Sequence, residues 1–315
     1  MSVVTQAEID EAVKQALPAC GDVTRCRPLD KGHGHQSFIV ETRSDTTLLM
    51  KIALRPDQRD KMTSLRHALQ LATQHGVPVP ALLCFSAGTR SFAGRPWLIQ
   101  EFLAGEDGED ALPKMADLQR AAFFRDFGRV VATLHSIEPG YFAEDLASSS
   151  RHTTWAHAVD ARLQRVIDRH VQAALLPRES LAAASDAIVS VMRAVSVDVR
   201  PALVHRDLYL PNTLAMGGRF RALLDFEHAR FSDAVCDFVK LEMWVFEKIP
   251  GAAPDFRAGY GGDPLSARDG RLRYRLWLGF ELLSGLLYWK QTGQSDMLAD
   301  YLMRFGRWLS GAPAE

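Results

Sequence analysis

Two short segments in the second half of the chain carry side chains that suit metal-assisted phosphoryl transfer. The first, residues 204–212, contains the pattern H-R-D-x-x-x-x-N. In this pattern the Asp accepts or orients the proton of an attacking hydroxyl, and the Asn ligates Mg²⁺. The second segment, Asp225-Phe226-Glu227, begins thirteen residues after Asn212 and offers a carboxylate for a hard cation. We therefore predict Asp207 as the catalytic base and Asn212 and Asp225 as metal ligands.

A glycine-containing segment near the N-terminus could bind the phosphates of a nucleotide. Residues 32–37 read G-x-G-x-x-S and precede a probable strand. Glycines let backbone N–H groups approach phosphate oxygens, and a serine hydroxyl adds a donor. We expect Gly32, Gly34 and Ser37 to contact the nucleotide, and we expect His33 and His35 to lie at the loop tip rather than to bind a metal.

Lys51 is the predicted partner of the nucleotide phosphates. It lies between Met50 and Ile52 in the next apolar run, so a half-buried ammonium there needs an anion. Kinases also pair this lysine with a glutamate on the following helix. The segment 57–75 has no Glu, and its only acids are Asp57 and Asp60. Either a shorter carboxylate or the phosphate alone could pair with Lys51, and the sequence leaves both open.

The helices and strands predicted around these residues fall into two regions. The first hundred or so residues favour one helix, then strands, then a second helix; the remainder favours helices, apart from a hairpin within 203–226. Predicted strands are 38–42, 48–54, 82–87 and 96–102; predicted helices are 5–17, 57–75, 115–136, 154–173, 179–197, 233–248, 271–292 and 295–309. This segregation predicts an α+β fold. We assign residues 1–102 to a nucleotide-binding lobe and 103–315 to a catalytic and substrate-binding lobe.

The connection between the two regions resembles in its position the hinge through which kinases bind adenine. Residues 100–105, Gln-Glu-Phe-Leu-Ala-Gly, end the last predicted strand where the composition changes. Glu101 and Leu103 are the candidates to bind the base through their main chain, although an ordinary interlobe linker would have the same sequence.

Composition excludes several other classes of protein. Apolar residues make up 47% of the chain, and the formal net charge is −1, which argues against a nucleic-acid binder. No apolar stretch reaches the roughly 20 residues that span a bilayer, and the N-terminus does not resemble a signal peptide. We expect a cytoplasmic protein with no obligate protein partner and four reduced cysteines: Cys20, Cys26, Cys84 and Cys236.

Together with Leu134-His135, residues 76–80 and residues 256–260, these motifs resemble the aminoglycoside phosphotransferase and choline kinase superfamily. The resemblance covers roughly residues 25 to 290. It implies a protein-kinase-like fold of two lobes and transfer of the γ-phosphoryl group of ATP or GTP to a small-molecule hydroxyl. The cofactors implied are ATP, or possibly GTP, and Mg²⁺, with the roles given above for Asp207, Asn212 and Asp225.

The chain departs from the family pattern at three places. Arg206 replaces the glycine of H-G-D, residues 232–234 (Ser-Asp-Ala) replace G-D-P, and residues 236–239 (Cys-Asp-Phe-Val) replace Y-D-L-A. We expect His205 to brace the catalytic loop rather than to catalyse. Asp233 and Asp237 are expected to be structural, as a helix cap and a second brace.

The acceptor is predicted from two acidic stretches, residues 101–110 and 225–255. Carboxylates that line a cleft attract cations, so Glu227, Glu242 and Glu247 are candidate acceptor-binding residues. A solvated acidic loop would have the same composition. With the resemblance, this pattern favours a basic antibiotic, either an aminoglycoside or a cyclic peptide of the viomycin and capreomycin kind.

Two alternatives remain at this stage. A metabolic kinase for choline, homoserine or a methylthiosugar would need an aromatic cage or a basic patch. A nucleotide-binding pseudokinase is supported only by the missing helix Glu, and the presence of Lys51, Asp207, Asn212 and Asp225 speaks against it.

Overall fold

The N-terminal part of the molecule is built on one antiparallel sheet. A computed structural model describes residues 4–29, 34–88 and 91–311. Its five-stranded sheet has the order β1-β2-β3-β5-β4, with all neighbouring strands antiparallel. The strands are β1 Val23–Leu29, β2 His35–Thr42, β3 Thr47–Ala53, β4 Leu82–Ser86 and β5 Trp97–Glu101.

The two faces of this sheet have different functions. Met50 and Ile52 point to one face, where they join a core with Ile9 and Val13 of helix α1 (Gln6–Ala16). Because side chains alternate along a strand, Lys51 points to the other face. That face is covered by helix α2 (Arg59–Gln74), whose apolar side chains pack in a core shared with the C-terminal part. The strand pattern thus turns Lys51 toward the rest of the molecule.

The C-terminal part is mainly helical. Its helices are α3 Gly108–Ala111, α4 Asp117–His135, α5 Trp155–Ala173, α6 Arg178–Ala194, α7 Val235–Leu241, α8 Ala252–Tyr260, α9 Gly270–Thr292 and α10 Ser295–Ser310. Two small sheets lie among them, formed by β6 Glu106–Asp107, β7 Ala202–Val204, β8 Thr213–Met216, β9 Arg219–Leu223 and β10 Arg230–Ser232. Helix α9 buries residues around most of its circumference and lies in the core. The predicted α+β fold is confirmed.

The structure differs from the predicted elements in several places: short elements such as α3 and β10 were not predicted, and two larger differences follow. The predicted helix 233–248 is not uniform, because α7 ends at Leu241 and a π-helical turn, Glu242–Phe246, follows it. Such turns carry no proline or glycine signal in the sequence. Helix α8 was not predicted, because it is short and contains Pro254 and Gly259. A Cβ at Gly259 would overlap the Arg125 backbone, so the glycine allows α8 to pack closely on α4.

No helix among the residues described is both long and apolar enough to cross a membrane. The boundary between residues 102 and 103 remains a prediction, as does the cytoplasmic location.

Candidate active site

The predicted catalytic loop, residues 204–212, is fixed by one buried carboxylate on α7. Asp237 Oδ2 accepts the backbone N–H of His205 at 2.8 Å, and Oδ1 accepts that of Arg206 at 2.6 Å. Asp237 Oδ2 also lies 3.0 Å from His135 Nε2 at the end of α4. Burial alone would raise the pKa of Asp237, but the contacts with His135 and His205 hold it below its usual value. The predicted role of Asp237 as a brace is confirmed.

His205 is a second brace. Its Nδ1 accepts the backbone N–H of Asp207 at 3.3 Å, which leaves Nε2–H to donate to the Leu224 carbonyl at 2.8 Å. Burial lowers the pKa of His205, so the ring stays neutral in this arrangement. The ring thereby ties the catalytic loop to the residue before Asp225, as expected of a structural histidine.

The backbone at Arg206 has a conformation that favours glycine, the residue of the family pattern. Its φ is 69°, in the left-handed region where a side chain costs about 1 kcal/mol. The buried guanidinium lies 3.8 Å from Glu281 Oε2 on α9 and over the Trp277 ring, 5.9 Å from its centroid. Both partners lie on α9, so the Arg206 side chain links the loop to that helix.

Asp233 is structural as well. Its Oδ1 accepts the Val235 N–H at 3.0 Å at the start of α7, and Oδ2 accepts Trp277 Nε1–H at 2.9 Å. Arg273 forms an ion pair with it at 3.1 Å. The predicted capping role is therefore combined with contacts to α9.

The predicted base, Asp207, is held at both carboxylate oxygens. Asn212 Nδ2 donates to Asp207 Oδ2 at 2.7 Å and to its carbonyl at 2.9 Å. Lys240 Nζ of α7 donates to Oδ1 at 2.7 Å. Because the Asn212 amide nitrogen faces Asp207, its oxygen points elsewhere and remains a potential metal ligand.

Lys51 pairs with Asp225. The two side chains are 174 positions apart in sequence, and Lys51 Nζ lies 3.0 Å from Asp225 Oδ1. Burial would raise the pKa of Asp225, and the Lys51 ammonium lowers it below its usual value. Ser37 is the cross-strand neighbour of Lys51 on the same face of the sheet. The absent glutamate on α2 is thus replaced, in this structure, by the predicted metal ligand itself.

Glu227 faces the N-terminal sheet and α2. Its Oε2 lies 3.1 Å from Lys61 Nζ of α2 and 3.4 Å from His35 Nδ1, while Oε1 lies 3.3 Å from His228 Nε2. A Cβ at Gly34 would overlap Glu227 Oε2. Burial would raise the pKa of Glu227, but the two histidines and Lys61 hold it well below its usual value.

The prediction that His35 lies at a loop tip is wrong. It begins β2 and is only 7% exposed, because its ring packs toward Glu227. Gly32 and His33 lie outside the described residues. Gly34 is described, and its close approach to Glu227 requires a residue without a side chain. The roles of Gly32, Gly34 and Ser37 in nucleotide binding stay predictions.

The predicted adenine-binding segment follows β5. The Glu101 N–H already donates to the Ala81 carbonyl at 2.8 Å, so this amide is committed to the sheet. Leu103 lies in the connection between β5 and β6, outside any strand. Main-chain binding of adenine by these two residues stays a prediction.

The oxygen donors of the site fit Mg²⁺. Asn212 and Asp225 belong to adjoining segments, because the Leu224 N–H donates to the Asn212 carbonyl at 2.9 Å. Magnesium is typically held by one or two protein oxygens together with phosphates and water. Among the described residues no group of three or more His, Cys, Asp or Glu side chains could hold a metal. The two donors match a nucleotide-dependent Mg²⁺ site better than a metal site formed by protein alone.

The predicted acceptor-binding acids are paired with bases. Glu242 Oε1 lies 2.6 Å from Arg257 Nη2, and Glu247 accepts two hydrogen bonds from Arg304, at 3.2 and 3.0 Å. Burial raises the pKa of Glu242 despite the arginine. A cationic acceptor would have to compete with these arginines, and binding by Glu227, Glu242 and Glu247 stays a prediction.

Sequence reasoning missed Lys240, Lys61 and Glu281. Lys240 follows Asp237 by three residues, which places both on one face of a helix. That spacing could have identified Lys240, whereas Glu281 is some 70 residues beyond the catalytic loop and only the fold brings it near.

The chain is similar to known proteins over most of its length. Residues 25–277 match the model of the phosphotransferase enzyme family. A search of curated protein sequences gave no match. Among solved structures, the chain is similar to the apo form of a thermostable mutant of aminoglycoside phosphotransferase APH(4)-Ia, with 19% identity, a TM-score of 0.70, and coverage of 97% of this chain and 100% of the other.

Two further structures have the same fold. One is the gentamicin complex of APH(2")-IIa, with 17% identity, a TM-score of 0.69 and 97% of each chain covered. The other is a thermostable APH(4)-Ia mutant in a ternary complex with AMP-PNP and hygromycin B, with 18% identity, a TM-score of 0.70, and coverage of 98% of this chain and 99% of that one.

The two-lobed fold is that of kinase-like phosphotransferases. The chain belongs to the phosphotransferase enzyme family. The predicted resemblance to the aminoglycoside phosphotransferase superfamily and the predicted class of enzyme are both confirmed.

Proposed function

We propose that this protein transfers the γ-phosphoryl group of ATP to a hydroxyl of a small molecule. The observation that carries the proposal is the hydrogen-bonded pair of Asp207 and Asn212, in a loop tied through His205 to the segment that carries the Lys51–Asp225 ion pair. These are the groups that phosphoryl transfer requires, because the enzyme mainly positions the nucleophile and neutralises charge.

In the proposed reaction Asp207 orients the acceptor hydroxyl toward the γ-phosphorus. The acceptor oxygen forms a bond to phosphorus while the bond from phosphorus to the β,γ-bridging oxygen breaks, and ADP leaves. Asp207 takes the hydroxyl proton and then releases it to water. Lys51 interacts with the phosphates and neutralises their charge.

Asn212 and Asp225 are the residues that would hold Mg²⁺. The ion would supply charge neutralisation at the phosphate oxygens. Asp225 is paired with Lys51 in this structure, so both phosphate and metal binding would exchange contacts at this carboxylate.

The acceptor is proposed to be a cationic antibiotic of the aminoglycoside or viomycin type, which the enzyme would inactivate in the cytoplasm. Support comes from family membership and from similar structures that contain gentamicin or hygromycin B. The pairing of Glu242 and Glu247 with arginines gives no added support to cation binding at those residues.

The test is ADP release with a panel of aminoglycosides, cyclic-peptide antibiotics and small alcohols, using ATP and GTP separately. Asp207→Asn should lose transfer by at least about 100-fold, because removal of the base costs typically 10²–10⁴-fold. The variant should still bind nucleotide. Equal transfer by wild type and Asp207→Asn would contradict the base assignment, and no turnover by wild type with any acceptor would favour the pseudokinase.

A further inference from the structure

Lys240 is the cation nearest the predicted base. Its Nζ lies 2.7 Å from Asp207 Oδ1 and 3.7 Å from Glu281 Oε1, and it lies over the Tyr209 ring, 5.7 Å from the centroid. The side chain is 24% exposed, so the ammonium lies at the edge of the site rather than in the core. Its position on α7, one turn after Asp237, fixes it to the same helix that braces the catalytic loop.

Glu281 holds Lys240 from the opposite side. This carboxylate, on α9, is 6% exposed and lies between Lys240 and Arg206, whose Nη2 is 3.8 Å from Oε2. Tyr301 Oη–H also donates to Glu281 Oε1, at 3.5 Å. Two carboxylates and two cations therefore form one charge-balanced chain, Arg206–Glu281–Lys240–Asp207. This series of paired charges restrains the Lys240 ammonium, and its charges sum to zero.

The two contacts at Asp207 together define the orientation of its carboxylate. Asn212 restrains Oδ2, and Lys240 restrains Oδ1. Without Lys240 the carboxylate could rotate about its Cβ–Cγ bond, which is a soft torsion. Misplacement of a catalytic group by about 1 Å can lower the rate about 100-fold.

We propose that Lys240 is a positioning residue for phosphoryl transfer, which fixes Asp207 in the orientation that receives the acceptor hydroxyl, and that Glu281 in turn fixes Lys240. This inference rests on the proposed function. In the transfer step Lys240 keeps its protons and its bonds are unchanged; the acceptor proton goes to Asp207, and the phosphorus exchanges the ADP oxygen for the acceptor oxygen.

The first experiment compares Lys240→Met and Lys240→Arg with Lys290→Met, a matched change at an exposed lysine on α9. We expect Lys240→Met to lower kcat about 30-fold or more while KM for ATP changes less than about 3-fold, because the lost contact orients the base. Lys240→Arg should recover part of the rate, and Lys290→Met should match wild type. A kcat for folded Lys240→Met within 3-fold of wild type overturns the proposal.

A second comparison tests whether Lys240 positions Asp207 or only neutralises the buried charge of Glu281. If Lys240 only compensates the buried charge, the double variant Lys240→Met/Glu281→Gln should regain activity and stability. If Lys240 positions Asp207, the double variant should stay as slow as Lys240→Met. Should Lys240→Met fail to fold, the double variant gives the same readout. Its glutamine at position 281 is uncharged, so no buried carboxylate is left without its lysine.

A third variant tests whether Lys240 acts through Asp207. In the Asp207→Asn background, adding Lys240→Met should lower the residual rate less than 3-fold, since residues acting as a unit are strongly non-additive. A full additional loss would overturn action through Asp207. If wild type shows no transfer that depends on Asp207, the proposed function is overturned and this inference with it. If wild type transfers phosphate and Lys240→Met is unaffected, only the inference is overturned.

Discussion

At the scale of single residues, Gly34 shows how an absent side chain can position a charged one. Glu227 Oε2 occupies the space that a Cβ at Gly34 would fill, and the same oxygen contacts Lys61 of α2. Gly34, α2 and the Asp225-Phe226-Glu227 motif thus meet at one carboxylate. A side chain at position 34 would separate them.

We expect Gly34→Ala to raise KM for ATP several-fold. Glu227 must move away from position 34, which displaces the residues predicted to bind the phosphates. Gly306→Ala is the matched control, since a Cβ there meets no atom within 4 Å. That control should leave KM unchanged and stabilise α10 by about 0.5–1 kcal/mol, the usual gain of Ala over Gly in a helix. Steady-state kinetics and thermal unfolding of both variants provide the check, and an unchanged KM in Gly34→Ala would contradict the steric argument.

At the scale of elements, α7 is the support of the catalytic loop. Asp237 is fully buried and accepts two consecutive backbone N–H groups of the loop as well as the His135 contact. Because hydrogen bonds to a charged acceptor are stronger than neutral ones, the carboxylate fixes the loop even though burial opposes its charge.

Asp237→Asn should destabilise the fold by about 1.5–3 kcal/mol at pH 7, the range for losing a hydrogen bond to a charged group. The pKa of Asp237 is lowered in the folded state. Its contribution is therefore present above the unfolded-state pKa of about 3.9 and lost as pH falls through the lower folded value. Urea unfolding of Asp237→Asn and wild type should give a difference that shrinks below about pH 4.

The control for that change is Asp186→Asn, at an exposed position of α6. We expect it to alter stability by less than about 0.5 kcal/mol, as surface substitutions usually do. A stability difference for Asp237→Asn that persists unchanged at pH 3 would mean that its effect does not come from the charged carboxylate.

Sequence periodicity predicted these elements better than it predicted their contacts. The strand that carries Lys51 and the helices on either side of the catalytic loop follow from local patterns, and the chemical types of Asp207, Asn212 and Asp225 follow from motif spacing. The π-helical turn at residues 242–246 has no local sequence signal. The pairing of Lys51 with Asp225, and the direction in which Glu227 faces, depend on contacts between distant segments that no local pattern encodes.

Across the molecule, the N-terminal part and the segment 225–227 are linked by ion pairs at the predicted site. Lys51 on β3 contacts Asp225, and Lys61 on α2 contacts Glu227. Both links are partly or wholly buried, so they are screened by salt less than surface pairs are. A nucleotide bound at the predicted site would contact groups from both regions and should therefore stabilise the molecule as a unit.

Mg²⁺ and ATP at 100 times the Kd should raise the free energy of unfolding by about 2.7 kcal/mol. For a chain of this size that corresponds to a rise in Tm of about 5 °C, at about 2 °C for each kcal/mol. Lys51→Met should lose most of this shift at the same ligand concentration, because the phosphates lose their ammonium partner. Lys290→Met should retain it.

Thermal unfolding with Mg²⁺ alone, ATP alone and both together is the measurement. An equal shift in Lys51→Met and wild type would mean that the nucleotide phosphates do not reach Lys51, and that the Lys51–Asp225 pair serves only to join the two regions.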